Sequence, residues 1–159
     1  AKQGDVDKVT ELLIGGADPN MRGTKGKTPL MEARGGHAVR RLLEARAHID
    51  TASDNGCTAL GWAALLGRQF AVSALLEGRA DANLASAVGN TPLMAAAQKQ
   101  RAGVCLALLA AGANPNARHG CGRTALHFAA ESEHLSVVEA WPATSSLPSQ
   151  RLPTAMLRG

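Results

Sequence analysis

The chain has 159 residues, 45% of them hydrophobic but only 3% aromatic, and a formal charge of +4. This length supports one well-buried domain and rarely two, and with two Phe, two Trp and no Tyr its core must be built from Ala, Leu and Val. The longest apolar runs are far too short to span a bilayer, and three cysteines at irregular spacing argue against a disulfide framework and for a reducing intracellular compartment.

In chain order, Val6, Val9, Leu12 and Leu13 recur at helical spacing on one apolar face. Gly15-Gly16 then predict a helix stop in the left-handed conformation that glycine tolerates. This reads as the second half of a repeat, so the numbering is expected to begin inside a longer or processed chain. Residues 21–50 predict a second unit, with Thr28 as N-cap and Pro29 at the first helical position, where its missing N–H is no loss. Residues 51–83 predict a third, capped by Thr58, broken at Gly67, and packed through Val72, Leu75 and Leu76. The fourth, residues 84–116, presents Leu93, Ala96 and Ala97, then Val104, Cys105, Leu108 and Leu109. A fifth begins at Thr124, continues through Leu135, Val137 and Val138, and fails at Trp141-Pro142, where proline cannot continue a helix. Beyond it the composition turns to Pro, Ser and Leu, which predicts a tail that either caps the fifth unit or docks on a partner.

The units share a period. Thr91-Pro92-Leu93 lies 33 residues before Thr124-Ala125-Leu126 and 33 after Thr58-Ala59-Leu60, with Thr28-Pro29-Leu30 a further 30 residues back. The second unit is thus three residues short, which predicts a tightened inter-helix turn and one helix trimmed by most of a turn. With helix ends at Gly15-Gly16, Gly78 and Gly112-Ala113-Asn114, these starts closely resemble the ankyrin repeat, a turn plus two antiparallel helices. The resemblance covers residues 1–140 and implies an all-α ankyrin-repeat solenoid, three internal repeats between incomplete terminal ones, followed by a non-repeat C-terminal tail at 141–159. In the family the His after Thr-Pro-Leu ties neighbouring units. Only His127 matches here, with Met31, Gly61 and Met94 at the other starts, so a looser stack is implied. Arg79 displaces the glycine of a repeat ending, and Asn20, Asn83 and Asn116 read as turn asparagines bonding their own backbone.

The family meets its partners through the projecting turn before each Thr-Pro-Leu and the exposed end of each first helix. By position, the resemblance implies tips holding Arg22, Thr24, Lys25 and Lys27, then Asp54 and Asn55, then Ala87, Val88 and Asn90, then Arg118, Cys121 and Arg123. The helix positions are Arg34, Leu65-Leu66, Gln98-Lys99 and Glu131-Ser132. Both ends are basic, the middle is apolar, and no acid occurs between Asp81 and Glu131, so the implied partner is a protein with acidic and apolar surface. Leu65-Leu66 is a candidate hot spot, although a slightly rotated helix would pack one leucine into the stack. Arg22, Lys25 and Lys27 in one tip repel one another, which favours a partner over plain solvation. Trp62 reads as core.

Other chemistry finds no support in the residues. His119, Cys121 and His127 lack paired metal-ligand spacing, and Cys105 reads as a small buried hydrophobe. Neither a nucleophile elbow, a phosphate loop nor a zinc-protease motif occurs, so neither enzyme activity nor a cofactor is expected. Two functions therefore stand: an interaction scaffold binding through its concave groove and tips, or a structural subunit of a large assembly whose open first helix and tail are buried by neighbours. Nucleic-acid binding through Arg22, Lys25, Lys27, Arg118 and Arg123 is disfavoured, because no aromatic residue stands beside these cations to stack on bases.

Overall fold

A computed structural model describes the backbone from residue 4 to 131 and the side chains from 9 to 131. The fifth unit's second helix, Ser132, the boundary at residue 140 and the tail at 141–159 lie outside the described residues. Among the described residues there are eight α-helices, one 3-10 turn and no strand. The helices are α1 (Gly4–Ile14), α2 (Pro29–Glu32), α3 (Gly36–Glu44), α4 (Ala59–Leu66), α5 (Gln69–Glu77), α6 (Pro92–Gln98), α7 (Ala102–Ala110) and α8 (Ala125–Glu131), with the 3-10 turn at Thr24–Gly26.

They form two rows. Helices α2, α4, α6 and α8 pack side by side as an inner row, α1, α3, α5 and α7 as an outer row, and each of the three internal units pairs one helix from each. The core lies between the rows. Leu30, Leu60 and Leu93 of the inner helices meet Leu42, Leu75 and Leu108 of the outer ones, all at most 2% exposed. Burying each contributes about 1.5–3 kcal/mol. Ala63, Ala64, Ala96 and Ala97 fill the remaining space and let the helices come close. Gly36 does so most sharply, since a Cβ there would stand 2.8 Å from the carbonyl oxygen of Phe70 in the next outer helix.

The helix starts follow local chemistry. Thr58 accepts a bond from the N–H of Gly61 and Thr91 from that of Met94, both at 3.3 Å, as N-cap side chains do. Thr28 differs from expectation: it holds the extended N-cap conformation, yet its side chain makes no capping bond. Of the unit's two helices it is this first one that is trimmed, to four residues against eight in α4 and seven in α6. Gly67 ends α4 at φ 68°, whereas Arg46 and Arg79 adopt the left-handed conformation, at φ 65° and 66°, without glycine's freedom.

Two expected contacts run differently. Asn20 and Asn83 do not bond their own backbone; each clamps the next unit. Asn20 Nδ2 donates to the carbonyl of Arg46 while its Oδ1 accepts from the N–H of His48, at 3.2 and 2.7 Å. Asn83 bonds Gly112 and Asn114 in the same way, at 3.3 and 2.7 Å. His127, expected to tie neighbouring units, instead accepts through Nδ1 from the N–H and hydroxyl of Thr124 in its own unit, at 3.3 and 2.8 Å.

Candidate partner-binding groove

Four tips project between the units, at residues 23–27, 53–57, 86–90 and 119–123. In each, the first residue's N–H donates to the fifth residue's carbonyl, at 2.7, 3.0, 2.9 and 2.7 Å. The fourth residue is a glycine with positive φ, namely Gly26, Gly56, Gly89 or Gly122, which closes so tight a turn at no steric cost. One backbone bond stitches each tip to the next: the N–H of Asp54 to Lys25, of Ala87 to Asn55 and of Gly120 to Val88, at 3.1, 3.0 and 3.1 Å. The stitches use second-position N–H groups and third-position carbonyls, so Lys25, Asn55, Val88 and Cys121 occupy one register with exposed side chains.

At the first tip, Lys27 Nζ lies 2.9 Å from Glu32 Oε1 and 4.2 Å from the centre of the Trp62 ring. The hydrogen bond from Lys27 holds the Glu32 carboxyl below its ordinary pKa. Trp62 is half-buried against the core, and its Nε1–H points to Ser53 Oγ at 3.5 Å. Arg22 donates to the carbonyl of Ala52 and to Asp54 Oδ1, at 3.0 and 3.2 Å. Beside them opens a cavity of about 530 Å³, lined by Met21, Gly23, Thr24, Lys25, Lys27, Thr28, Pro29 and Glu32.

Two inferences from the sequence need correction here. Arg22 and Lys27 each sit against an acid, Asp54 and Glu32, so the repulsion expected among three cations is relieved within the chain. Aromatic rings do stand beside the cations: Lys27 lies over Trp62, and the Arg123 guanidinium lies 5.9 Å from the Phe128 ring. The lack of aromatic neighbours therefore cannot be the argument against nucleic acid.

Farther along, Val88 is 62% exposed and Leu66, the last residue of α4, is 47% exposed, whereas Leu65 is half-buried. At the last tip Arg118 donates to the Gly122 carbonyl at 3.2 Å, and Arg123 pairs with Glu131 at 2.8 Å. Asn55, Gln98, Lys99 and Arg34 are exposed, the last three at the ends of the inner helices opposite the tips. The arrangement thus brings Arg22 to Asp54 and Lys27 to Glu32 and Trp62, with Arg34 near enough to help lower the Glu32 pKa.

Sequence reasoning overlooked Arg68, whose Nη1 donates to the carbonyls of Met31, Glu32 and Ala33 at 3.2, 3.2 and 3.1 Å. A signal existed, since Arg34, Arg68 and Arg101 recur at nearly the period of the repeat. Trp62 and Glu32 were also missing as parts of the first tip, and nothing in their spacing marks them. Among the described residues no three His, Cys, Asp or Glu side chains converge, and no helix is long and apolar enough to cross a membrane.

A family model described as ankyrin repeats (3 copies) matches residues 1–86 and 71–140. No curated protein matches the chain.

Proposed function

The chain belongs to the ankyrin-repeat family, and from that premise we propose that its tips and inner helices bind a protein partner presenting acidic and apolar surface. Ankyrin repeats generally serve as protein–protein interaction modules rather than enzymes. The observation that carries the reading is the row of tips, with Arg22, Lys25 and Lys27 at one end, Arg118 and Arg123 at the other, and exposed Val88 and Leu66 between them. None of these side chains is needed to fill the core. Apolar anchors would supply affinity, and the cations orientation and rate of encounter. Free thiols at Cys57, Cys105 and Cys121 fit a reducing compartment as the setting.

Affinity capture from native lysate tests this, comparing the chain with Leu66→Glu and with Lys25→Glu/Arg118→Glu. Leu66 is chosen over Leu65 because it is the more exposed of the two, so the charge should leave the stack folded. Loss of the same defined protein from both variants supports the groove. Retention by both overturns it.

A second reading has its own observation. Leu12 and Ile14 of α1 are 55% and 82% exposed, apolar surface that a structural subunit would bury in an assembly. Capture that survives the groove variants but is lost with Leu12→Glu/Ile14→Glu would favour that alternative.

A further inference from the structure

The last tip holds a nucleophile and a base in contact. Cys121 Sγ lies 3.0 Å from His119 Nδ1. The N–H of Cys121 donates to that same Nδ1 at 3.2 Å, so this nitrogen offers a lone pair and the neutral ring carries its hydrogen on Nε2. The thiol must therefore be the donor, with its proton directed at the imidazole. The edge-to-face contact of His119 with Phe128, 5.7 Å between centres at 83°, holds the ring in place. Cys121 is exposed, and Arg118 and Arg123 flank the pair in sequence, the first bonded to the Gly122 carbonyl and the second paired with Glu131.

The other two thiols lack this arrangement. Cys57 is half-buried, its sulfur is directed at the carbonyl of Thr58 at 3.7 Å, and burial raises its pKa. Cys105 is buried in the core, where desolvation pushes its thiol up to about 11. Reactivity of a thiol follows its thiolate fraction and its access to solvent, and Cys121 alone combines exposure with an adjacent base.

We propose that Cys121 is a thiol-exchange site that forms a mixed disulfide with an anionic low-molecular-weight disulfide of the glutathione class, with His119 as its base. His119 Nδ1 takes the Cys121 proton, and the thiolate sulfur attacks one sulfur of the incoming disulfide. A bond forms between them as the old S–S bond breaks, and the departing thiolate leaves with the electron pair and takes up the proton. Cys121 is oxidised to the mixed disulfide while half of the reagent is reduced to thiol. Arg118, whose partner is the neutral Gly122 carbonyl, attracts the reagent's carboxylates. The adduct would set negative charge on the tip that the groove's partner meets. That consequence rests on the groove reading; the exchange chemistry does not.

The test is a time course with oxidised glutathione, followed by intact mass and peptide mapping, on wild type, Cys121→Ser and His119→Asn. The asparagine keeps an acceptor for the Cys121 N–H, so the turn is retained while the base is lost. The expected result is a first adduct on Cys121 forming about tenfold faster than on Cys57. His119→Asn should slow Cys121 by a similar factor and leave Cys57 unchanged, and Cys121→Ser should abolish the fast phase. A fast phase persisting in Cys121→Ser, or an unchanged Cys121 rate in His119→Asn, overturns the proposal. Hydroxyethyl disulfide, a neutral reagent, is run alongside with free cysteine as the reference for both. If it modifies Cys121 as fast relative to that reference as oxidised glutathione does, the preference for an anionic reagent is wrong. Partner capture is not read in this experiment, so its failure leaves the groove reading standing and can be told apart from failure of that reading.

Discussion

The last carbonyls of an α-helix have no partner inside the helix, and α2 reaches that point a turn earlier than α4 does. Arg68, from the turn before α5, fills the gap: one guanidinium nitrogen meets the carbonyls of Met31, Glu32 and Ala33 within 3.2 Å. Burial lowers the guanidinium's pKa, the neighbouring cation Arg34 lowers it further and Glu32 opposes both. The group remains charged at neutral pH, because arginine titrates far above it, so these are charge-assisted bonds. Arg68→Ala is expected to destabilise the protein by about 1–3 kcal/mol, the range for hydrogen bonds to charged groups and for carbonyls left poorly paired. Urea unfolding of the two proteins measures this as a lower midpoint with the slope unchanged. A loss below about 0.5 kcal/mol would mean that water serves those carbonyls equally well.

Neighbouring units are held by their turns as well as by their helices. Asn20 and Asn83 use both halves of the side-chain amide, donating to one backbone carbonyl of the next unit and accepting from the N–H two residues on. Asp50 occupies the same register between them, and its Oδ1 accepts from the N–H of Asp81 at 3.2 Å. A carboxylate has no hydrogen to donate to the Arg79 carbonyl. Asp50→Asn should restore the second bond and stabilise the stack by roughly 0.5–1 kcal/mol, measured as a higher thermal midpoint. An unchanged or lower midpoint would show that the carboxylate's stronger acceptance from Asp81 outweighs the bond gained. These clamps also mark where reading the sequence stopped. Helix starts at Thr58 and Thr91, the break at Gly67 and a trimmed helix in the second unit were all legible, because capping, positive φ and a missing turn are set by adjacent residues. The partners of Asn20 and Arg68 were not, since those contacts join residues 26 to 37 positions apart and end on backbone atoms, which carry no residue signature. The tips fall between these cases. Their register followed from the period, so Lys25, Asn55 and Val88 could be placed, but Arg22 meeting Asp54 and Lys27 lying over Trp62 depend on how adjacent units lean together.

In a stack of this kind each unit touches only its neighbours, so stability is a sum of unit and interface contributions and the ends open first. The described helices are unequal in this respect. Helices α4 and α6 have inner neighbours on both sides, and their leucines Leu60 and Leu93 are fully buried. Helix α1 packs on α3, yet Leu12 and Ile14 remain largely exposed and Val9 and Leu13 are only half-buried. Native-state hydrogen exchange should therefore give a gradient, with amides of α4 and α6 the slowest and those of α1 exchanging through a local opening well below the global unfolding free energy. Low urea should leave the α1 rates nearly unchanged, because a small opening exposes little surface, while the α4 and α6 rates rise steeply. If α1 is as protected as α6, the stack opens only as a whole and the additive description fails. The same gradient separates the two functional readings. A partner seated on the groove should slow exchange across the tips and α4, whereas one that buries Leu12 and Ile14 should raise protection at α1 first.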